Sequence, residues 1–135
     1  MSAESSAFAS LSLPSATHVV APDGAEVRVL LGLTAGGMAR FELPAGATSR
    51  AVTHRSVEEI WFVVSGRGEM WRRQGEREAI VTLEPGLCLT LPRGTQFQFR
   101  ASPVEAVAAV AVTMPPWPGA DEAVGVAGPW QPTGA

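Results

Sequence analysis

Glycine and proline interrupt this chain so often that long helices are excluded. The 135 residues contain 14 glycines and 11 prolines, and no segment free of both is longer than 19 residues. Both residues end helices and favour turns, so this spacing predicts short strands joined by turns. A chain of this length fits one domain with a sizeable core.

The segments between these breaks are rich in alternating, β-branched and aromatic residues, as strands are. Short strands at near-regular spacing, with no helix between them, predict an antiparallel sandwich or barrel. The predicted strands cover residues 17–21, 26–31, 38–43, 49–54, 59–64, 69–73, 78–83, 87–91, 96–100 and 104–114.

Three regions follow from this reading of the chain. Residues 1–16 are rich in alanine and serine without a sustained period, which predicts a flexible N-terminal arm. Residues 17–114 are the predicted barrel. Residues 115–135 are rich in proline and contain Trp117 and Trp130, and tryptophans usually bury large areas. We therefore expect this tail to pack on the barrel.

Charge and composition exclude several classes of partner and chemistry. The net charge is −3, and the ten basic residues are all arginines without a dense cluster, which argues against nucleic acid. No apolar run reaches membrane-spanning length. The first residues lack a positive segment and include Glu4, unlike a secretory signal. With Cys88 as the single cysteine, no intrachain disulfide can form, and we expect a cytoplasmic location.

Two patterns of glycine spacing occur in the middle of the chain. The first has Gly46, five residues, Val52-Thr53-His54, four residues, Glu59, six residues and Gly66. The second has Gly86, five residues, Pro92-Arg93-Gly94, two residues, Phe97, three residues and Ala101.

In their order and spacing these patterns resemble the two motifs of the cupins. The resemblance covers residues 46–101 directly and implies an all-β fold, the cupin-type double-stranded β-helix, which is an antiparallel jelly-roll barrel. It also implies a homodimer, in which the N-terminal arm or an edge strand pairs across the interface. Such pairing would cover an otherwise open strand edge.

The same resemblance locates a degenerate metal site. In typical cupins, three histidines and a glutamate bind a divalent metal, and the equivalent positions here are Val52, His54, Glu59 and Phe97. Only His54 and Glu59 keep ligand side chains, whereas iron and zinc sites usually need three or four protein ligands. We therefore expect no standard metal centre and no cofactor.

Strand geometry predicts which side chains line the barrel. Successive residues of a strand point to opposite faces, so the residues two positions before and after an inward ligand position also point inward. A mostly apolar pocket with a few convergent polar groups is the usual small-molecule site. The predicted lining is Arg50, Val52, His54, Glu59, Trp61, Phe97 and Phe99.

Within this pocket, His54 and Glu59 predict a proton-transfer pair. Without a metal between them, the two side chains are expected to lie within about 3 Å of each other, as a base and its orienting group do. Arg50 is the expected anchor for a carboxylate or enolate of the substrate. Purely structural interpretations remain open. His54 could be a strand residue without a chemical role, and Glu59 could neutralise Arg50 or Arg55, because buried carboxylates are normally paired.

The remaining candidates carry less chemistry. Cys88 lies in an apolar run with no histidine placed to activate it, which predicts an inert thiol. His18 is expected at the surface, close to the N-terminal arm.

Three functions remain open. The first is an enzyme of the isomerase, cyclase, dehydratase or lyase type that transfers a proton on an apolar or aromatic substrate without a standard metal. The second is a non-catalytic cupin that binds a small ligand. The third is a metal-dependent lyase or dioxygenase in which His54 and Glu59 hold the metal together with water and substrate.

Overall fold

A computed structural model describes residues 7–16, 19–21 and 23–133. Within these ranges the chain folds into two antiparallel sheets, and residues 7–16 form neither helix nor strand. His18 and the start of the first predicted strand lie outside the described residues, as do residues 1–6 of the predicted arm. No helix in the described part is long and apolar enough to cross a membrane.

Eleven strands make up these sheets in the described part of the chain. They are β1 (Val19–Val20), β2 (Glu26–Leu33), β3 (Gly36–Leu43), β4 (Val52–His54), β5 (Glu58–Gly66), β6 (Gly68–Gln74), β7 (Arg77–Leu83), β8 (Cys88–Leu91), β9 (Gln96–Ala101), β10 (Val107–Met114) and β11 (Ala123–Gly125). The first sheet has the order β1-β2-β3-β10-β5-β8, and the second has the order β11-β4-β9-β6-β7. The predicted all-β, antiparallel jelly-roll fold is confirmed.

The core lies between the two sheets, and β5 shows how the sequence builds it. Its side chains alternate, with Trp61 and Val63 buried and Ile60 and Phe62 exposed. The Trp61 ring stacks parallel to Phe41 of β3, with ring centroids 5.2 Å apart. Aromatic pairs of this kind add to the stabilisation that burial of their surface provides.

One motif glycine is required by the backbone itself. Gly66 ends β5 with a φ of +82°, and a Cβ at this position would collide with the carbonyl oxygen of Ala106. L-residues with a side chain rarely adopt a positive φ of this kind, so glycine is the residue that fits. The motif spacing from Glu59 to Gly66 therefore corresponds to the length of β5, which ends at Gly66.

Two strand boundaries differ from the prediction. The fourth strand begins at Val52 rather than at residue 49, because the preceding backbone bonds elsewhere: the Arg50 N–H donates to the Asp23 carbonyl at 2.7 Å. The tenth begins at Val107 rather than at residue 104, because the preceding residues form a loop.

The C-terminal tail contains a strand that the sequence did not predict. β11 pairs antiparallel with β4 and has only three residues, too few to show a period. Further along, the buried amide of Gln98 donates to the Trp130 carbonyl at 2.9 Å and accepts from the Trp130 N–H at 3.1 Å. The guanidinium of Arg100 lies 4.0 Å from the centroid of the Trp130 ring. These contacts hold residues 123–133 against the second sheet.

Candidate ligand-binding cavity

The space inside the barrel forms a cavity of about 820 Å³. Both sheets and the first part of the tail contribute to its wall, which is mostly aliphatic and aromatic. Val20, Leu31 and Trp117 belong to this wall and are also 67%, 43% and 40% exposed, so apolar side chains surround its opening. The volume lies in the range of small-molecule sites.

Charged and polar side chains in the described lining are few. They are Asp23, His54, Glu59 and Thr113. All four are buried, with at most 9% of each residue exposed. In a low-dielectric cavity, each of them acts more strongly on its neighbours than it would in water.

Glu59 is fixed by two donors. One carboxylate oxygen accepts from Trp61 Nε1 at 2.9 Å, and the other accepts from Thr113 Oγ1 at 2.6 Å. Strand alternation places Trp61 on the same face as Glu59, and Thr113 of β10 lies directly opposite Glu59 in the antiparallel register. The side chain is therefore held in one orientation by its own sheet.

His54 lies between two aromatic rings. The imidazole contacts each ring edge-on, and its centroid lies 5.2 Å from that of Phe97 and 5.1 Å from that of Trp117. Burial lowers the pKa of His54 below its ordinary value, whereas the negative charges of Glu59 and Glu122 act to raise it. Burial thus favours the neutral imidazole, the form that can accept a proton.

The expected contact between His54 and Glu59 is not found. Within the described part of the chain no hydrogen bond joins them, and the donors to the oxygens of Glu59 are Trp61 and Thr113. The prediction that Glu59 orients the imidazole was wrong in this respect. Glu59 acts on His54 through its charge.

Most of the predicted lining residues reach the cavity. Those that do are Val52, His54, Glu59, Trp61 and Phe97. The motif spacing predicted them because each lies in a regular strand. Phe99 does not reach the cavity: it is buried in the core, edge-on to Trp61 at 5.1 Å between centroids.

The predicted inward orientation of Arg50 is wrong. Arg50 is exposed and does not contribute to the cavity wall. Both Ala51 and Val52 are buried, so the alternation on which the prediction rested does not extend past the start of β4. No arginine lines the cavity in the described part of the chain.

Asp23, which the sequence analysis did not single out, also lines the cavity. Its carboxylate accepts from the Ala25 N–H at 3.0 Å, an Asx-type turn contact. Burial raises the pKa of Asp23 to about 6; the Ala25 hydrogen bond and the charge of Arg50 oppose the rise, and the charge of Glu59 adds to it. One signal was available in the sequence: Asp23 precedes the inward positions Ala25 and Val27 by steps of two.

The tail closes one side of the cavity and is fastened there by Glu122. The buried carboxylate of Glu122 accepts from the N–H groups of Ser56 and Val57 at 2.6 and 2.9 Å, and from Ser56 Oγ at 2.8 Å. Burial acts to raise the pKa of Glu122, but these hydrogen bonds and the nearby His54 lower it below its usual value. The tail residues that line the cavity are Pro116, Trp117, Gly119, Ala120 and Ala123.

Two of the four metal positions of the family carry no ligand side chain here. Val52 and Phe97 supply no donor atom, and Glu59 is hydrogen-bonded through both oxygens. Among the residues that the structure describes, no three His, Cys, Asp or Glu side chains come together to hold an ion. The residues present therefore do not fit the metal site of typical cupins.

Fold and cavity define a single-barrel protein with a mostly apolar internal cavity. Residues 39–113, more than half of the chain, match the family model of the cupin domain. The chain therefore belongs to the cupin family. No curated protein matches it in sequence.

Solved structures share the fold at low sequence identity. A cupin protein from Bacteroides fragilis is 25% identical, with a TM-score of 0.53, over 61% of this chain and 67% of that one. The Streptomyces protein PAC13, solved as a variant with uridine, is 15% identical, with a TM-score of 0.62, over 78% and 80% of the two chains. CapF, solved with the inhibitor 3-isopropenyl-tropolone, is 14% identical, with a TM-score of 0.59, over 66% of this chain. The match spans only 28% of CapF.

Proposed function

We propose that this cupin is an enzyme that transfers a proton on an apolar or aromatic small molecule, with His54 as the base. One observation carries the proposal: the buried imidazole of His54 lines a mostly apolar cavity of about 820 Å³. A general base must be unprotonated at the working pH and within reach of its substrate, and burial of His54 serves the first requirement.

The reaction follows from the charges around the ring. A ring nitrogen of His54 takes a proton from a substrate carbon, and the C–H electron pair stays on the substrate. The imidazolium then returns the proton to another atom of the substrate, which gives isomerisation. Alternatively the electron pair expels a leaving group and the imidazolium passes its proton to that group or to water, which gives elimination. The negative charges of Glu59 and Glu122 stabilise the imidazolium while it exists.

Two solved relatives support a small-molecule ligand. PAC13 was solved with uridine and CapF with a tropolone inhibitor, so proteins that share this fold are found with small organic molecules. At identities of 15% and 14% the likeness shows the fold alone. The support for the substrate class is the cavity of this chain itself.

Proton abstraction can be tested with nitrobenzisoxazole, a neutral bicyclic aromatic probe. When a base removes its ring C–H proton, the ring N–O bond breaks and a coloured nitrophenolate forms. We expect the protein to accelerate this reaction and the substitution His54→Ala to lower the rate by about a hundredfold. The matched control is Glu58→Gln, which changes an exposed residue of β5 and should leave the rate unchanged.

The probe also gives a pH dependence with a definite sign. The rate should fall on acidification as His54 becomes protonated, with an apparent pKa below 6.5. Full activity of the His54→Ala protein would overturn the proposed role of this residue.

We propose further that this reaction needs no metal held at the family's ligand positions. The support is the ligand count: two of the four positions carry side chains without donor atoms. Elemental analysis of protein purified without a metal column or chelator should find no stoichiometric iron, zinc, nickel or manganese. A near-stoichiometric metal that is lost in the His54→Ala protein would favour the metal-dependent alternative.

A second candidate function is a non-catalytic carrier or sensor of a hydrophobic molecule. It is favoured by the position of His54, whose ring is flanked edge-on by Phe97 and Trp117 as a packed core residue would be. A carrier would bind the probe with the same affinity in the wild-type and His54→Ala proteins and would not turn it over in either.

We propose a cytoplasmic location and a homodimeric state. The single cysteine, Cys88, is exposed, and an exposed free thiol is best preserved in a reducing compartment. The dimer is supported by the edge strands of the two sheets. β7, for example, ends the second sheet in the described part of the chain, and an edge strand can pair with a strand of another chain.

A further inference from the structure

We propose that the ligand of the cavity carries a protonated amine beside its apolar or aromatic body. This inference rests on the proposed small-molecule function and names the class of molecule that the cavity accepts. It reverses the expectation of an anionic substrate that came from the predicted inward position of Arg50.

The charges of the cavity are of one sign. Asp23 and Glu59 are the two ionisable acids of the described lining, and Asp23 senses the charge of Glu59. A third carboxylate, Glu122, lies close enough to influence His54. Arg50 acts on Asp23 from outside the cavity wall. The described lining therefore offers negative charge to a ligand and no permanent positive charge.

Because the acidic side chains are buried, their negative charge makes the cavity discriminate between ligands of different charge. Carboxylates removed from water lose favourable hydration, and they regain stabilisation when a cation pairs with them. A ligand anion would instead add a further negative charge beside Asp23 and Glu59. A ligand ammonium offsets the existing charges, so charge alone discriminates between otherwise similar molecules.

Hydrogen-bonding capacity and ring faces suit the same cation. A carboxylate offers about four lone-pair sites, and Glu59 uses two of them, on Trp61 Nε1 and Thr113 Oγ1. Asp23 accepts from the Ala25 N–H through one oxygen. An ammonium group has donors for the remaining sites. The indole rings of Trp61 and Trp117 line the same cavity, and aromatic faces attract cations.

Calorimetric titration of three matched probes tests the inference on the wild-type protein. All three carry a naphthalene ring with a single-carbon arm that ends in an amine, a hydroxyl or a carboxylate. At neutral pH we expect the amine to bind about tenfold more tightly than the alcohol, in line with a cation–π and charge-pair gain of about 1.4 kcal/mol. The carboxylate should bind most weakly.

Two variants locate the source of the preference. Asp23→Asn and Glu59→Gln should each bring the affinity for the amine towards that of the alcohol, while the affinity for the alcohol stays within about twofold because no charge pairs with it. Asp121→Asn is the matched control, since Asp121 is an exposed residue of the tail outside the described cavity wall.

The outcomes separate this inference from the proposed function. If the alcohol binds and the amine binds no more tightly, or if the carboxylate binds best, the inference is overturned and the small-molecule site remains. If none of the three probes binds, the proposed function itself fails. Because the comparison of the three probes uses the unaltered protein, it decides the inference even if a variant does not fold.

Discussion

Two buried carboxylates of this cavity are stabilised to different degrees. Glu59 accepts hydrogen bonds from an indole N–H and a hydroxyl group, whereas Asp23 accepts one from the Ala25 N–H. Burial raises the pKa of Asp23 to about 6, which places its titration close to neutrality. Titratable groups with displaced pKa values in a cleft are typical of functional sites.

Asp23 should make the stability of the protein depend on pH. Its pKa is higher in the folded protein than the ordinary value of 3.8, so the folded state holds its proton more tightly. This contribution is fully present below pH 3.8 and is lost as the pH rises through about 6. A shift of this size corresponds to about 3 kcal/mol.

Asp23→Asn removes this titration. Between pH 4 and pH 7 the free energy of unfolding of the wild-type protein should fall relative to that of the variant by up to about 3 kcal/mol, measured by urea denaturation. Asp121→Asn should show no such change. Parallel curves for wild type and Asp23→Asn would show that Asp23 titrates normally.

At the scale of elements, the cavity is completed by a segment outside the regular strands. Residues 115–122 bring Trp117 against His54, and Glu122 fastens this segment to the backbone N–H groups that follow β4. A carboxylate that accepts from backbone N–H groups makes charge-assisted hydrogen bonds, which are stronger than neutral ones. The position of Trp117 therefore depends on Glu122.

Glu122→Gln should loosen this fastening. A neutral amide oxygen replaces the charged acceptor, so we expect a loss of about 1–2 kcal/mol of stability. Amide hydrogen exchange at Ser56 and Val57 should become faster, and the affinity for the naphthalene alcohol should fall as Trp117 moves. Glu105→Gln, in an exposed loop, is the control. Unchanged exchange at both amides would contradict the role of Glu122.

Elements with a regular period could be predicted, and those defined by a partner could not. β5 shows its alternation in the sequence, so the inward positions of Glu59 and Trp61 followed from it. β11 has three residues and exists because β4 offers an open edge. Arg50 was misplaced because its backbone hydrogen bond goes to Asp23, a contact that no spacing in the sequence indicates.

At the scale of the whole molecule, the open edges of the sheets bear on assembly. β7 is an edge strand of seven residues, and Ile80 on it is 52% exposed. Long edge strands with exposed apolar residues tend to pair with another chain, and charges placed on them prevent it.

We expect a homodimer when the mass is measured by size-exclusion chromatography with light scattering at micromolar concentration. If β7 pairs across the interface, Ile80→Lys should give a monomer, while Glu105→Lys should not change the mass. A wild-type protein that is monomeric under these conditions would contradict the homodimer.

The proposed proton transfer depends on His54 being an unprotonated base in the cavity. The most direct measurement is an NMR titration of the imidazole ring, with its signals assigned by their loss in the His54→Ala protein. We expect the ring to titrate with a pKa below 6.5, because burial outweighs the charges of Glu59 and Glu122. A pKa of 6.5 or higher, or a ring that does not titrate because a metal ion holds it, would contradict the proposed role of His54.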